Sequence, residues 1–167
     1  MQKQKITTFL WFDDQAEEAA TFYVDVFSHW PGATAGASKI LDVSRYGEAG
    51  PGAPGSVMTV SFQLEGQEFI GLNGGPEFAF TEAVSLMVNC ASQEEVDDLW
   101  AKLTDGGAES DCGWLKDRYG LSWQITPTAL MELIRDPDPE KSQAAMKAML
   151  GMKKIDIAGL QRAHEAA

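Results

Sequence analysis

Two stretches decide how this chain folds: TTFLWFDDQAEEAATFYVDVF at residues 7–27 and VSLMVNCASQEEVDDLWAKL at residues 84–103. Each runs from an apolar extended segment through a polar cap into an acidic amphipathic helix, and the two overlay at an offset of 77 residues. Under that offset Thr8 falls on Ser85, Glu17 and Glu18 on Glu94 and Glu95, and Phe22 and Tyr23 on Leu99 and Trp100. Ala19, Phe22, Tyr23 and Val26 recur at helical spacing, as do Val96, Leu99, Trp100 and Leu103, so each helix has one apolar face to lay on a sheet. Asp13 or Asp14 can cap the first helix. Ser92 caps the second, with Glu95 at the reciprocal capping-box position. Self-similarity of this kind points to a duplicated supersecondary unit.

Working outward, the first helix is followed by a Gly, Ala and Ser rich loop at 29–37 and by extended candidates at 39–46, 56–64 and 67–73. Glu65 and Gly66 supply the tight turn of a hairpin. Beyond the second helix, Gly106 and Gly107 stop it, a short extended stretch lies near 108–111, and CGWLKDRYGLSWQITP (112–127) reads as two strands joined around Asp117 to Gly120. The pattern is β-α-β-β-β twice. The tail carries three helices: one at 128–134, one opened by Asp138 with Pro139 at its first position, and one capped by Asp156. Met146, Met149 and Met152 repeat every three residues, which suits core or dimer packing.

At 167 residues, one domain or one duplicated small unit is expected. Thirteen Lys and Arg against 25 Asp and Glu give a net charge of −12, which repels phosphate backbones and anionic lipid headgroups. Nucleic acid and membrane are therefore excluded as expected partners. The N-terminal apolar run is short for a signal-peptide core, no stretch approaches the roughly 20 apolar residues of a membrane span, and a cytoplasmic location follows. In that compartment Cys90 and Cys112 are expected as reduced thiols.

Five segments carry a family resemblance: ITTFLWFDDQAEEAATFYVDVF, SKILDVSRYGEAGPG, GQEFIGLNGGPEF, CGWLKDRYGLSWQITP and DPDPEKSQAAMKAMLGMKKIDIAGL. Together they span nearly the whole chain, which resembles the vicinal oxygen chelate superfamily (the glyoxalase and bleomycin-resistance fold). More narrowly it is similar to the PhnB-like group, labelled 3-demethylubiquinone-9 3-methyltransferase domain proteins. The resemblance implies an α+β fold of tandem β-α-β-β-β modules, with curved mixed sheets around a cavity. One domain at 1–127 would hold modules at about 5–74 and 83–127, and the helical extension 128–167 would pack on the domain or on a dimer. It also implies a homodimer and four inward strand positions that hold a divalent ion in metal-dependent relatives.

By the resemblance these positions fall on Thr8, on Ser85, on Gly71 or Asn73, and on Gln124, the last reached from the acidic turn residue Asp117 and Gly120. None is a carboxylate or imidazole. Two hydroxyls, an amide and a Gly or Asn offer only neutral dipoles, whereas hard cations gain most from carboxylates and zinc or nickel from imidazole or thiolate. The expectation is thus a polar cavity without metal or other cofactor, in which Thr8, Ser85, Gln124, Asn73 and Cys112 are the candidate contacts of a small-molecule ligand. An enzyme of lyase, isomerase or dioxygenase type, or the quinone-related methyltransferase of the group's label, is the alternative. A Gly-rich turn for a nucleotide-like methyl donor is missing, since TTFLWF leads into DDQAEEA without a glycine.

Of the remaining residues, His29 and His164 are expected in solvent, and Lys116, Asp117 and Arg118 in a solvated turn where Arg118 could meet an anion. Trp114 and Trp123 are expected on one face of their hairpin. Trp11 is expected on the face of its strand opposite Thr8.

Overall fold

The computed structural model of the chain describes residues 4–167, which form two compact units, the first ending at Phe80 and the second spanning Thr81–Ala167. In the first unit β1 (Thr8–Phe12), α1 (Ala16–Ser28), β2 (Lys39–Arg45), β3 (Val57–Leu64) and β4 (Gln67–Asn73) build a four-stranded sheet of order β1-β4-β3-β2. β1 runs parallel to β4 and the other pairs are antiparallel. The parallel pair requires a crossover, and α1 with two further strands supplies it. α1 buries Ala16, Ala19, Ala20, Tyr23, Val26 and Phe27. Tyr23 stacks on Phe62 of β3, and Phe62 stacks in turn on Phe69 of β4. Each such fully buried side chain contributes about 1.5–3 kcal/mol relative to exposure.

The hairpin turn falls at Glu65 and Gly66, both with positive φ (46° and 86°), the backbone a two-residue turn between twisted strands requires. Glu65 then serves a second purpose. Its carboxylate accepts from the Trp30 indole N–H and the Thr34 amide, anchoring the loop that follows α1. Neither Asp13 nor Asp14 caps α1. The N-cap residue is Gln15, which makes no side-chain cap bond, and the Asn73 side chain from β4 accepts from the Ala16 amide at 2.8 Å instead.

In the second unit β5 (Ser85–Cys90), α2 (Gln93–Thr104), β6 (Ala108–Glu109), β7 (Trp114–Lys116) and β8 (Ser122–Pro127) repeat the scheme in the order β5-β8-β7-β6. Ser92 caps α2 as expected, accepting from the Glu95 amide, while the Glu95 carboxylate accepts one residue further back, from Ala91 N–H. Val96, Leu99, Trp100 and Leu103 bury the helix against Leu115, Trp123 and Ile125 of the sheet side. Two mixed four-stranded sheets and five helices make the fold α+β, with neither sheet closed into a barrel.

The tail helices α3 (Thr128–Leu133), α4 (Pro139–Leu150) and α5 (Ile157–Glu165) belong to the second unit. Leu130, Ile155 and Leu160 form their core, with Met149 and Met152 packed on it, whereas Met146 is exposed. Polar ties hold the tail to the module. Gln93, the first residue of α2, donates to Ile155 O and accepts from Ile157 N–H, and Lys154 pairs with Asp97 at 2.7 Å. The amides of Cys112 and Gly113 donate to Met152 and Lys153 carbonyls, each at 2.7 Å.

Candidate functional site

Side chains alternate along a strand, and residues paired across a ladder share a face, so register places every candidate. In the second sheet Leu86, Val88, Cys90, Trp123, Ile125 and Leu115 take the α2 side. Ser85, Met87, Asn89, Ser122, Gln124, Thr126, Trp114 and Lys116 take the opposite face. Trp114 and Trp123 therefore lie on opposite faces of their hairpin, because Trp114 pairs with Gln124 and Leu115 with Trp123.

The turn before β8 sets this register. Asp117 is only 3% exposed, not solvated: its carboxylate accepts from the amides of Tyr119 and Leu121 and from the Trp123 indole N–H at 2.8 Å. A buried carboxylate is tolerated where several N–H groups satisfy it. With Trp123 held on the α2 side, Gln124 must project the other way. There its side-chain amide donates to the Ser85 hydroxyl at 2.8 Å. Two of the candidates thus meet directly.

The first sheet places its candidates differently. Thr8 pairs with Phe69 and shares a face with the buried Leu10 and Phe12, towards α1, while Phe9 and Trp11 point the other way. Gly71 is on the α1 side too, where an added Cβ would come 3.3 Å from the Ala16 methyl. Asn73 is also there, and its amide is spent on structure, capping α1 and donating to Val57 O. The 77-residue offset holds for the helices, which begin at Ala16 and Gln93, but it fails for the strands before them. Three residues separate Phe12 from α1 and only two separate Cys90 from α2, so Leu10 and Phe12 correspond to Val88 and Cys90. A one-residue slip turns every side chain to the other face. Thr8 accordingly faces its helix, and Ser85 faces away from its own.

Cys112 occupies a left-handed turn (φ 59°) tied to the tail, and Cys90 is fully buried, its thiol pushed up to about 12 by burial and by the nearby Glu95 charge. Arg118 is engaged by Asp105 at 2.6 Å, and His29, the C-cap residue of α1, by Asp25 in the last turn of that helix. His164 is half-buried, unlike the solvated side chain expected, and meets Asp136 at 2.9 Å. Lys116 pairs with Glu82 at 2.5 Å, and that bond holds the Glu82 carboxyl below its usual range.

A divalent ion, implied by the fold family, does not fit these residues. Gln124 presents an N–H to Ser85 instead of a shared lone pair, the residues that the resemblance assigned to the other two positions, Thr8 and Gly71 or Asn73, face α1, and among the described residues no three His, Cys, Asp or Glu side chains come together. What the Ser85–Gln124 pair can do is hydrogen-bond. Ser85 keeps its O–H to donate, and Gln124 keeps its carbonyl oxygen and a second N–H. Ser122, the register partner of Ser85, was not among the candidates. Its signal was present in GLSWQ, since it lies two residues before Gln124 and so on the same face.

No helix among the described residues is long and apolar enough to cross a membrane. Residues 4–126 match the family described as 3-demethylubiquinone-9 3-methyltransferase. A PhnB protein from Bacillus cereus is similar at 42% identity, with a TM-score of 0.64 over 75% of this chain and 100% of that one. Similarity in fold alone extends to a Pseudomonas aeruginosa protein (18% identity, TM-score 0.58, 75% and 98% coverage). It extends also to the fosfomycin resistance protein FosX of Listeria monocytogenes (13%, 0.51, 79% and 98%). Among curated proteins nothing matches. The duplicated β-α-β-β-β modules and these similarities together show that the chain belongs to the 3-demethylubiquinone-9 3-methyltransferase family, a PhnB-like branch of the vicinal oxygen chelate superfamily with the glyoxalase fold.

Proposed function

We propose that this chain binds a small metabolite through the polar face of its second sheet, with Ser85 and Gln124 as contacts and without a divalent ion. One observation carries the reading: at two positions that the resemblance matches to metal-ligand positions of the family, a neutral amide donates to a neutral hydroxyl at 2.8 Å. A pre-formed pair of this kind fixes its remaining donors and acceptors in place, and few, well-placed polar groups are what orient a small ligand. Trp114 and Met87, on the same face, supply apolar surface beside them. Methyl transfer is the family's description; no glycine-rich turn after β1 supports a nucleotide-like methyl donor here.

Elemental analysis of protein purified without chelator tests the metal-free half of the reading. The expected result is no stoichiometric divalent metal, and one tightly bound ion per chain would overturn it. A thermal-shift screen of small acids, phosphonates and quinones tests the other half, with stabilisation lost in Gln124→Ala. We read the compartment as cytoplasmic, which two unbridged cysteines support, and the assembly as a homodimer, which the exposed Phe9 and Met87 on strand faces support. Light scattering showing a monomer at micromolar concentration would count against the dimer.

A further inference from the structure

Lys116 differs from the other charged side chains of the second unit in the face it occupies. It follows Trp114 by two residues on β7 and pairs with Ser122 of β8, so it shares the face that carries Ser85 and Gln124. Every other described strand residue that register places on that face is uncharged. Arg118 is committed elsewhere, its guanidinium held by the carboxylate and the backbone carbonyl of Asp105 after α2. The partner of Lys116 is Glu82, three residues before Ser85 in the segment that leads into β5. Because β8 stands between β7 and β5, the lysine reaches across β8 to make this pair. Three residues of chain span at most about 10 Å, which keeps the pair near Ser85. Ser122, in register between Ser85 and Lys116, is 1% exposed and closed to a ligand, whereas Ser85 and Gln124 are only half-buried. The lysine and glutamate side chains are open too, 39% and 63% exposed, and an exposed pair of this kind contributes little to stability.

We propose that Lys116 recognises an oxyanion of the ligand, a carboxylate or a phosphonate, which displaces Glu82 while Ser85 and Gln124 hold a second polar group of the same molecule. The inference rests on the reading of Ser85 and Gln124 as ligand contacts and deepens it: the ligand is a small acid with a hydroxyl, carbonyl or amide a few bonds from its acidic group. A net charge of −12 repels any approaching anion at long range, so preference for one has to come from a local cation, and on this face Lys116 is that cation. Glu82 is a carboxylate of the chain itself, already in the place the ligand would take. It satisfies the ammonium in the free protein and gives way to an oxyanion that Ser85 and Gln124 anchor in addition, since hydrogen bonds between charged groups are the strong ones.

Glycolate, hydroxymethylphosphonate and the neutral isostere glycolamide are the probes, in NMR titrations at fixed ionic strength that follow the amide signals of Ser85 and Gln124. Wild-type protein is expected to bind one of the two anions about tenfold more tightly than glycolamide, and the tighter anion identifies the acidic group. Lys116→Met is expected to remove that preference and Lys116→Arg to keep it, with glycolamide binding unchanged in both as the sign of an intact face. Glu82→Gln frees the ammonium and is expected to raise anion affinity about two- to fivefold, the scale of an exposed ion pair. That gain should vanish when Lys116→Met is added, which separates release of the lysine from a general change of charge. An anion preference that survives in Lys116→Met overturns the proposal, and so does an unchanged or weaker anion affinity in Glu82→Gln. Equal binding of all three probes to wild type also overturns it, while leaving the Ser85–Gln124 reading standing. If no probe moves Ser85 or Gln124, both fail.

Discussion

At the residue scale, the departure from a metal site comes down to two atoms. The Gln124 nitrogen donates where a glutamate oxygen would accept, and the Ser85 oxygen receives that hydrogen where an imidazole would offer a lone pair. Because these side chains are already in contact on adjacent strands, Gln124→Glu combined with Ser85→His places a carboxylate and an imidazole within reach of one ion. The double variant is expected to bind zinc or nickel at least tenfold more tightly than wild type in a calorimetric titration. No gain would mean that the two side chains do not converge on a common point. Asp117 shows a different use of a charge. Its neighbours in sequence, Lys116 and Arg118, read as a solvated turn, yet the carboxylate turns inward because three N–H groups await it.

At the scale of elements, helix ends are stabilised here from outside their own sequence. α1 begins without a local cap, and Asn73, 57 residues away, supplies the acceptor while its amide nitrogen ties down the start of β3. Asn73→Ala removes both bonds, and loss of a cap alone costs about 0.5–2 kcal/mol. Urea unfolding is expected to report a loss of that order or somewhat more, with Asn73→Asp keeping the cap and recovering part of it. The tail offers a pH-dependent counterpart. Asp97 has its carboxyl lowered by hydrogen bonds from Lys154 and Gln93, both of which hold the tail to α2. A carboxyl whose folded value lies below the unfolded one, near 3.9, stabilises the fold above about pH 4 and loses that contribution as pH falls through the folded value. The pair is half-exposed, so solvent screens it to about 0–1 kcal/mol. Unfolding free energies measured between pH 6 and pH 3 are expected to fall less steeply in Asp97→Asn than in wild type, and parallel slopes would contradict the assignment.

At the scale of the whole molecule, the tail is part of the second unit and not an appendage. A chain ending after Pro127 would strip Gln93 of its tail partners and the Cys112 and Gly113 amides of their acceptors, and would lose the Leu130, Ile155 and Leu160 core. Each buried leucine or isoleucine contributes about 1.5–3 kcal/mol. A marked drop in Tm, or insolubility, is expected on truncation; an unchanged Tm would show that the module is complete without its tail.

Local signals were sufficient to read much of this from the amino-acid sequence. Apolar periodicity, the Glu65-Gly66 turn, Ser92, Asp138 with Pro139 and the glycines after α2 act within a few residues, and they determined the order of elements, the duplication and the three tail helices. The absence of carboxylate and imidazole at Ser85 and Gln124 was equally legible, because it depends on residue identity alone. Which way each strand faces was not. That depends on counting across the connection from strand to helix, where one extra residue before α1 reverses Thr8 relative to Ser85. The capping role of Asn73, the burial of Asp117 and the unpaired hydroxyl of Ser122 likewise arise from neighbours brought together by the ladder, and only the tertiary structure decides those.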